Sequence, residues 1–392
     1  MPLFFGNLYL LLFFGISIFT LFVSYFAIQF NSQKIDTVGL LIAYITMVLF
    51  YGVREPGTTD IKMYLENFDA LNNFSDFNWG IGFYILMKSI KTISSEHALF
   101  IFASSFIFAT ILLFFTCIVL KSKPYKSLFM ISLLYGWYML DLATNTYRQG
   151  IALLFIMFSL FYIARKNYLN FSLFSVIAIS IHWGALIPVI ICVISLFLSK
   201  SIKASKYLSL FAIMLFSVSF IVNLDVAKNI ANSTLSSSLD QIFVGVNIAS
   251  KMSSYLNSEV DGSAFYDISI LRKIKFTIEA FLPLLINTIF LFKLDKKVYV
   301  EKKMELSPLY YVTSNYISLL NIYAVSIISM AWFFRNFYWL PIASNLCLIM
   351  LLFAFKKSSK NNLYTLFYII GIVLLSILTI WTSELLKMSY PI

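Results

Sequence analysis

Of the 29 basic residues in this 392-residue chain only five are arginines, and four of them, Arg54, Arg148, Arg272 and Arg335, stand where a long apolar run ends. A guanidinium is a planar, permanently charged fork that meets phosphate oxygens two donors at a time, so arginines sorted away from lysines are candidates for holding a diphosphate. For any one of them, snorkelling at a membrane interface is the competing reading. Arg148 lies in "TNTYRQG" (144–150), flanked by Asn145, Tyr147 and Gln149, between the apolar runs "SLFMISLLYGWYML" and "IALLFIMFSLFYIA". Asp141 ends the run before it, placed either to pair with Arg148 or to act on a substrate. His182, in "SIHWGALIP", is one of two histidines. Arg148 and His182 stand 17 and 16 residues from Arg165 and Lys166. At roughly 1.5 Å per helical residue both lie about 25 Å from that turn, level with each other.

Other polar residues divide between chemistry and structure. His97, beside Glu96, reads as structural. Glu279 lies inside an apolar run, a functional position by default, but Lys275 at i−4 offers it a structural pair. Asn287, Asn315, Asn321 and Asn345 read as bridges between helices. There is no DxD, HExxH, P-loop, Rossmann glycine fingerprint or Cys/His metal spacing, so neither a metal nor any other cofactor is expected, and chemistry would draw on a pre-activated substrate. Cys117, Cys192 and Cys347 fall in apolar runs, where they act as small hydrophobes.

The elements that position these residues follow from composition. With 60% hydrophobic and 12% charged residues and a mean hydropathy of +0.86, the chain is a polytopic membrane protein. The expected fold is all-α, a single polytopic domain over 1–392 with about 12 transmembrane helices, each needing roughly 20 apolar residues. These are expected near 4–29, 36–53, 97–120, 125–142, 149–164, 168–183, 184–199, 207–223, 274–292, 309–331, 338–355 and 362–383. Segment 79–95 carries Lys88 and Lys91 on one face and is expected to lie at the interface. Two larger outer loops, 54–78 and 224–272, complete the layout.

Alternate short loops then hold 17 of the 29 positive charges, which the positive-inside rule assigns to the cytoplasm. The four arginines face outward. A net charge of +11 distributed in this way points to membrane topology and not to nucleic acid.

"GVREPGTTDIKMYLENF" resembles the R-x-x-x-G-T-D-x-x-x-Y pattern that follows the second span in the EpsG family, the Wzy-like bacterial polysaccharide polymerases. "NTYRQGIALLFIMFSLFYIARKNYLNFSLFSVIAISIHWGALIP" resembles that family's N-x-x-R-Q hairpin ending in histidine, and "WFFRNFYWLP" is similar to its late arginine. The chain departs from the pattern at Ile61, where the family often has an aromatic residue. The resemblance implies an enzyme of the cytoplasmic membrane of a bacterium, with its site facing the periplasm or exterior. It would transfer a growing chain from undecaprenyl diphosphate to a sugar hydroxyl of a fresh lipid-linked repeat unit. Arg54, Arg148, Arg272 and Arg335 would hold the diphosphate, Asp60 and His182 are the candidate bases, and Asp141, Asn145, Tyr147, Gln149 and Tyr64 line the site. The implied partners are the lipid-linked donor and acceptor, the bilayer, a chain-length regulator and a flippase. A flippase or exporter of the same lipid-linked sugar, and a ligase, are the alternatives.

Overall fold

The computed structural model describes residues 7–72, 77, 79–222, 265–266, 268–293, 307–330, 332–354 and 361–390. Most of the expected 224–272 loop, Asp76 and the lysines at 296–303 and 356–360 lie outside the described residues. Among the described residues all regular secondary structure is helical, as expected for an all-α membrane protein.

In chain order the helices are α1 (Leu8–Gln29), α2 (Gln33–Gly52), α3 (Thr59–Asp69), α4 (Ile81–Ile93), α5 (His97–Val119), α6 (Lys126–Ser132), α7 (Trp137–Thr144), α8 (Tyr147–Ala164) and α9 (Tyr168–Ile181). A 3-10 turn leads into α10 (Leu186–Leu198). There follow α11 (Ile202–Ser219), α12 (Ile270–Lys293), α13 (Ser307–Ser326), α14 (Phe334–Phe337), α15 (Pro341–Ala354), α16 (Asn361–Thr382) and α17 (Glu384–Ser389). Among the described residues eight helices are long and apolar enough to cross a membrane, nine if the bent α6–α7 pair counts as one, and α9 and the 183–198 segment are apolar but shorter. The protein is thus a multi-pass membrane protein. Helix α4, with 13 residues, is short of the roughly 20 that a span requires.

Contacts divide the chain into two compact units: 1–193 with 304–310 and 345–392, and 194–303 with 311–344. In the first, α1 packs on α2, α2 on α5 and α6, and α8 on α9. Two turns there close with the same hydrogen-bond pattern. After α1, Asn31 (φ 50°) donates to Ile28 O and Ser32 to Ala27 O; after α8, Lys166 (φ 59°) donates to Ile163 O and Asn167 to Tyr162 O. Each satisfies the carbonyls that a helix end leaves open. The short "RKN" turn therefore forces α8 and α9 into an antiparallel pair.

The expected span 125–142 is two helices, α6 and α7, bent by 80°. Backbone freed inside a membrane protein must find partners within the protein. Tyr51 Oη donates to Leu134 O (2.7 Å), and Asn345 Nδ2 donates to Phe129 O (3.0 Å) and Ser132 Oγ (2.7 Å). At the start of α6, the fully buried Asp36 carboxylate accepts from Ser127 N (2.9 Å), Ser127 Oγ (2.7 Å) and Lys126 N (3.3 Å), and pairs with Lys126 Nζ at 3.6 Å. A carboxylate at a helix N-terminus also meets the positive end of its dipole.

In the second unit α11 packs on α12 through an aromatic cluster in which Phe216, Phe265, Phe333 and Phe337 surround Phe276. Asn287 Nδ2 donates to Ser314 Oγ (2.7 Å) and Asn315 Nδ2 to Ser195 O (3.3 Å), so both bridge helices. Asn321 instead donates within its own helix, to Ile317 O.

Candidate functional site

The segment after α2 and the turn between α7 and α8 meet in the first unit. Arg54, only 8% exposed, donates from Nη1 to Tyr51 O and to Ser105 Oγ (3.0 Å), and from Nη2 to Thr144 O (2.9 Å). Tyr51 lies in the last turn of α2 and Thr144 ends α7, so the cation sits against the negative ends of two helices. Burial pulls the Arg54 guanidinium down to about 10, opposed by Tyr390, Tyr147, Tyr51 and Tyr9 around it. It remains a cation at neutral pH. Its donors are therefore directed into the protein, where they join α2, α5 and α7.

A second link lies six residues on. The Asp60 backbone N–H, in the first turn of α3, donates to Asn145 Oδ1 at 3.1 Å, while Asn145 Nδ2 donates to Asp141 Oδ1 at 3.0 Å. Thr146 Oγ1 donates to Asp141 Oδ2 at 3.4 Å, and the backbone N–H groups of Asn145 and Thr146 both donate to Asp141 O at 2.8 Å. Asp141 is buried, and both carboxylate oxygens hold the turn in shape. Gly150, in the first turn of α8, allows the close approach: a Cβ there would overlap Leu142 O.

Arg148 is half-buried at the start of α8. Its Nη1 donates to Trp79 O at 3.1 Å, and its guanidinium carbon lies 5.4 Å from the centre of the Trp79 ring. Tyr64 is buried with its ring 5.1 Å from Trp79 and 5.4 Å from Phe83, and Tyr147 is buried 6.2 Å from Phe83. Gln149 is buried beside them in sequence. The Trp79 turn also reaches toward His182. Gly80 has φ +97°, and a Cβ there would lie 2.5 Å from Ser180 O, while one on Gly82 would overlap Ser180 Oγ. Thus α4 packs against the last turn of α9. His182 caps that helix, and its Nδ1 accepts from Gly184 N at 2.9 Å, which places the neutral ring's proton on Nε2.

The C-terminal segment closes over the Arg54 side. Glu55 N donates to Ser389 O (3.0 Å), Tyr390 Oη donates to Phe50 O, and a Cβ on Gly57 would overlap Met388 O. Burial pushes the Tyr390 phenol well above its ordinary range.

Arg272 and Arg335 belong to the second unit. Arg272 is exposed in the first turn of α12, and Arg335, in α14, lies 5.4 Å from the Trp332 ring centre, with Trp332 at φ +57°. His97 pairs with Asp69 at 2.9 Å, joining α5 to α3. Lys88 and Lys91 donate to carbonyls at and after the end of α3, Lys91 to Phe68 O and Asp69 O at 2.8 Å. Among the described residues no group of three or more His, Cys, Asp or Glu is placed to hold a metal ion.

Both expected motifs meet in one place, and the family profile described as EpsG family matches residues 37–391. The chain belongs to the EpsG family. Members of the EpsG family are Wzy-like polymerases, which gives the chain an exopolysaccharide- or O-antigen-polymerase type of function. No curated protein and no solved structure matches the chain. The EpsG match spans both units, including Arg272 and Arg335. Trp79, Gly80, Gly82, Gly150 and Asp36 are structural contributors that sequence reasoning did not single out. A local signal existed for the glycines: "NWGIGFY" and "YRQG" each place glycine where an aromatic or charged side chain enters a helix.

Proposed function

We propose that this protein polymerises lipid-linked oligosaccharide repeat units at the outer face of the bacterial cytoplasmic membrane. In this reaction the acceptor hydroxyl oxygen bonds to the anomeric carbon of the donor, the carbon–oxygen bond to undecaprenyl diphosphate breaks, and the diphosphate leaves with the bonding electrons. Arg148 meets the diphosphate and stabilises the charge that develops on it. Arg54 acts through the turn it holds.

The observation that carries this reading is the joint between the two motifs: Arg54 to Thr144 and Asp60 N to Asn145, which puts the first turn of α3 beside the turn bearing Arg148. Asp60 takes the acceptor proton. His182 Nδ1 already accepts from Gly184, so its neutral ring offers a donor at Nε2, and Asp141 spends its oxygens on Asn145 and Thr146. A general base needs an accepting atom within reach of the hydroxyl, and the carboxylate of Asp60, carried on the first turn of α3 beside the turn bearing Arg148, is the candidate. A flippase delivers both substrates and a chain-length regulator acts on the product.

Cells lacking this protein test the reading. Single repeat units at the surface are the expected result. No surface sugar would instead mean a flippase, and full-length chains left on undecaprenyl diphosphate would mean a ligase.

A further inference from the structure

The second unit carries an apolar groove of about 460 Å³ beside α12. Ile270, Ile274, Thr277 and Phe281 line it at spacings of four, three and four residues, which is a single stripe down one helix face, and Phe220 from the end of α11 closes it. Pro283 lies inside α12 just beyond. The stripe runs about 16 Å along the helix at roughly 1.5 Å per residue.

One cation stands in the lining. Lys273 Nζ donates to Tyr266 O at 3.0 Å and lies 5.5 Å from the Phe265 ring centre; Tyr266 in turn donates from Oη to Ser219 O and Val222 O, both at 3.1 Å. The ammonium is therefore anchored at the Ile270 end of the stripe, and the exposed Arg272 is its neighbour.

We infer that this groove binds the hydrocarbon chain of a polyprenyl phosphate, with Lys273 and Arg272 facing its phosphate. The inference rests on the proposed lipid-linked substrate and adds where the lipid tail lies. Charge at one end and a stripe of isoleucine and phenylalanine below it, in which the Thr277 hydroxyl donates to Lys273 O of its own helix, match an anionic lipid. Among anionic lipids, the polyprenyl phosphate is the one that the proposed reaction brings to this protein.

The test uses the full chain in nanodiscs of phosphatidylcholine containing undecaprenyl phosphate and phosphatidylglycerol at equal mole fraction. A photoreactive phenylalanine analogue replaces Ile278, another lining residue, and adducts are weighed by mass spectrometry. The expected result is a polyprenyl phosphate adduct in clear excess. It falls about tenfold when Thr277→Trp fills the groove, and also falls in Lys273→Gln, which keeps the groove open. Adducts in proportion to bulk lipid, or in favour of phosphatidylglycerol, would overturn the inference. Adduct formation needs no polymerisation, so a chain that makes no polymer yet crosslinks selectively overturns only the proposed reaction. Normal polymer with no selective adduct overturns only the groove.

Discussion

Replacing Arg54 by alanine should cost stability, whereas replacing Arg148 should cost activity. Arg54 makes hydrogen bonds to Tyr51 O, Ser105 Oγ and Thr144 O from a site 8% exposed. Hydrogen bonds to a charged group contribute roughly 1.5–3 kcal/mol each, so three give about 4–9 kcal/mol. Against this stands burial, which lowers the guanidinium from its ordinary value to about 10. At roughly 1.4 kcal/mol per pKa unit, that offsets about 3 kcal/mol. The net loss on Arg54→Ala is on the order of 1–6 kcal/mol, felt as a lower Tm and lower membrane yield. Arg54→Lys should recover part of it, because an ammonium cannot span Tyr51, Ser105 and Thr144 as a fork does.

The assay is thermal unfolding of the purified chain in one detergent, followed by tryptophan fluorescence. The folded pKa of Arg54 is lowered, so the unfolded state holds the proton more tightly between about 10 and the ordinary arginine value, and stability from this group rises only across that window. Below about pH 9 both states are protonated, and the Arg54→Ala difference should be flat from pH 6 to 9. An unchanged Tm in Arg54→Ala would refute the structural role assigned to the buried cation, and an activity loss at unchanged Tm would return Arg54 to the substrate.

Breaking the Asp36–Lys126 pair with Asp36→Asn leaves a cation at a buried site and should lower stability by about 3–5 kcal/mol; adding Lys126→Met should restore much of it in the same unfolding assay. Gly150→Ala drives a methyl into Leu142 O, so protein yield and Tm should both fall, and wild-type values would contradict the close α7–α8 crossing. Gly80→Ala forces a side chain onto φ +97° and against Ser180 O, and should reduce polymer length more than yield, because it moves the carbonyl that holds Arg148. His182→Gln should retain more activity than Asp60→Asn if the imidazole serves as a donor; the reverse order in a chain-length assay would make His182 the base.

The sequence displayed its polar outliers best. Arg54, Asn145 and Arg148 stand at the ends of apolar runs and Asp60 in the loop after Arg54, and the bonds of Arg54 to Thr144 and of Asp60 to Asn145 join two motifs legible as strings. The direction of each side chain was not legible: Arg54 turns inward to helix-end carbonyls, and Asp141 ties the turn to itself. The break between α6 and α7 was hidden because "SLFMISLLYGWYML" has no charged residue to mark it, and hydropathy runs through the 80° bend. Its supports, Tyr51 and Asn345, come from distant parts of the chain. Nothing in the sequence marks Asp36, the first residue of the expected 36–53 span, and only the tertiary fold brings Lys126 and Ser127 to it.

The most direct measurement gives purified wild type and Arg148→Ala the same lipid-linked repeat unit and resolves the products by length. The expected products are a ladder of polymer with release of undecaprenyl diphosphate from wild type, and unextended repeat units from an Arg148→Ala protein whose Tm is within a few degrees of wild type. A normal ladder from Arg148→Ala would contradict the assignment of this arginine to the leaving diphosphate.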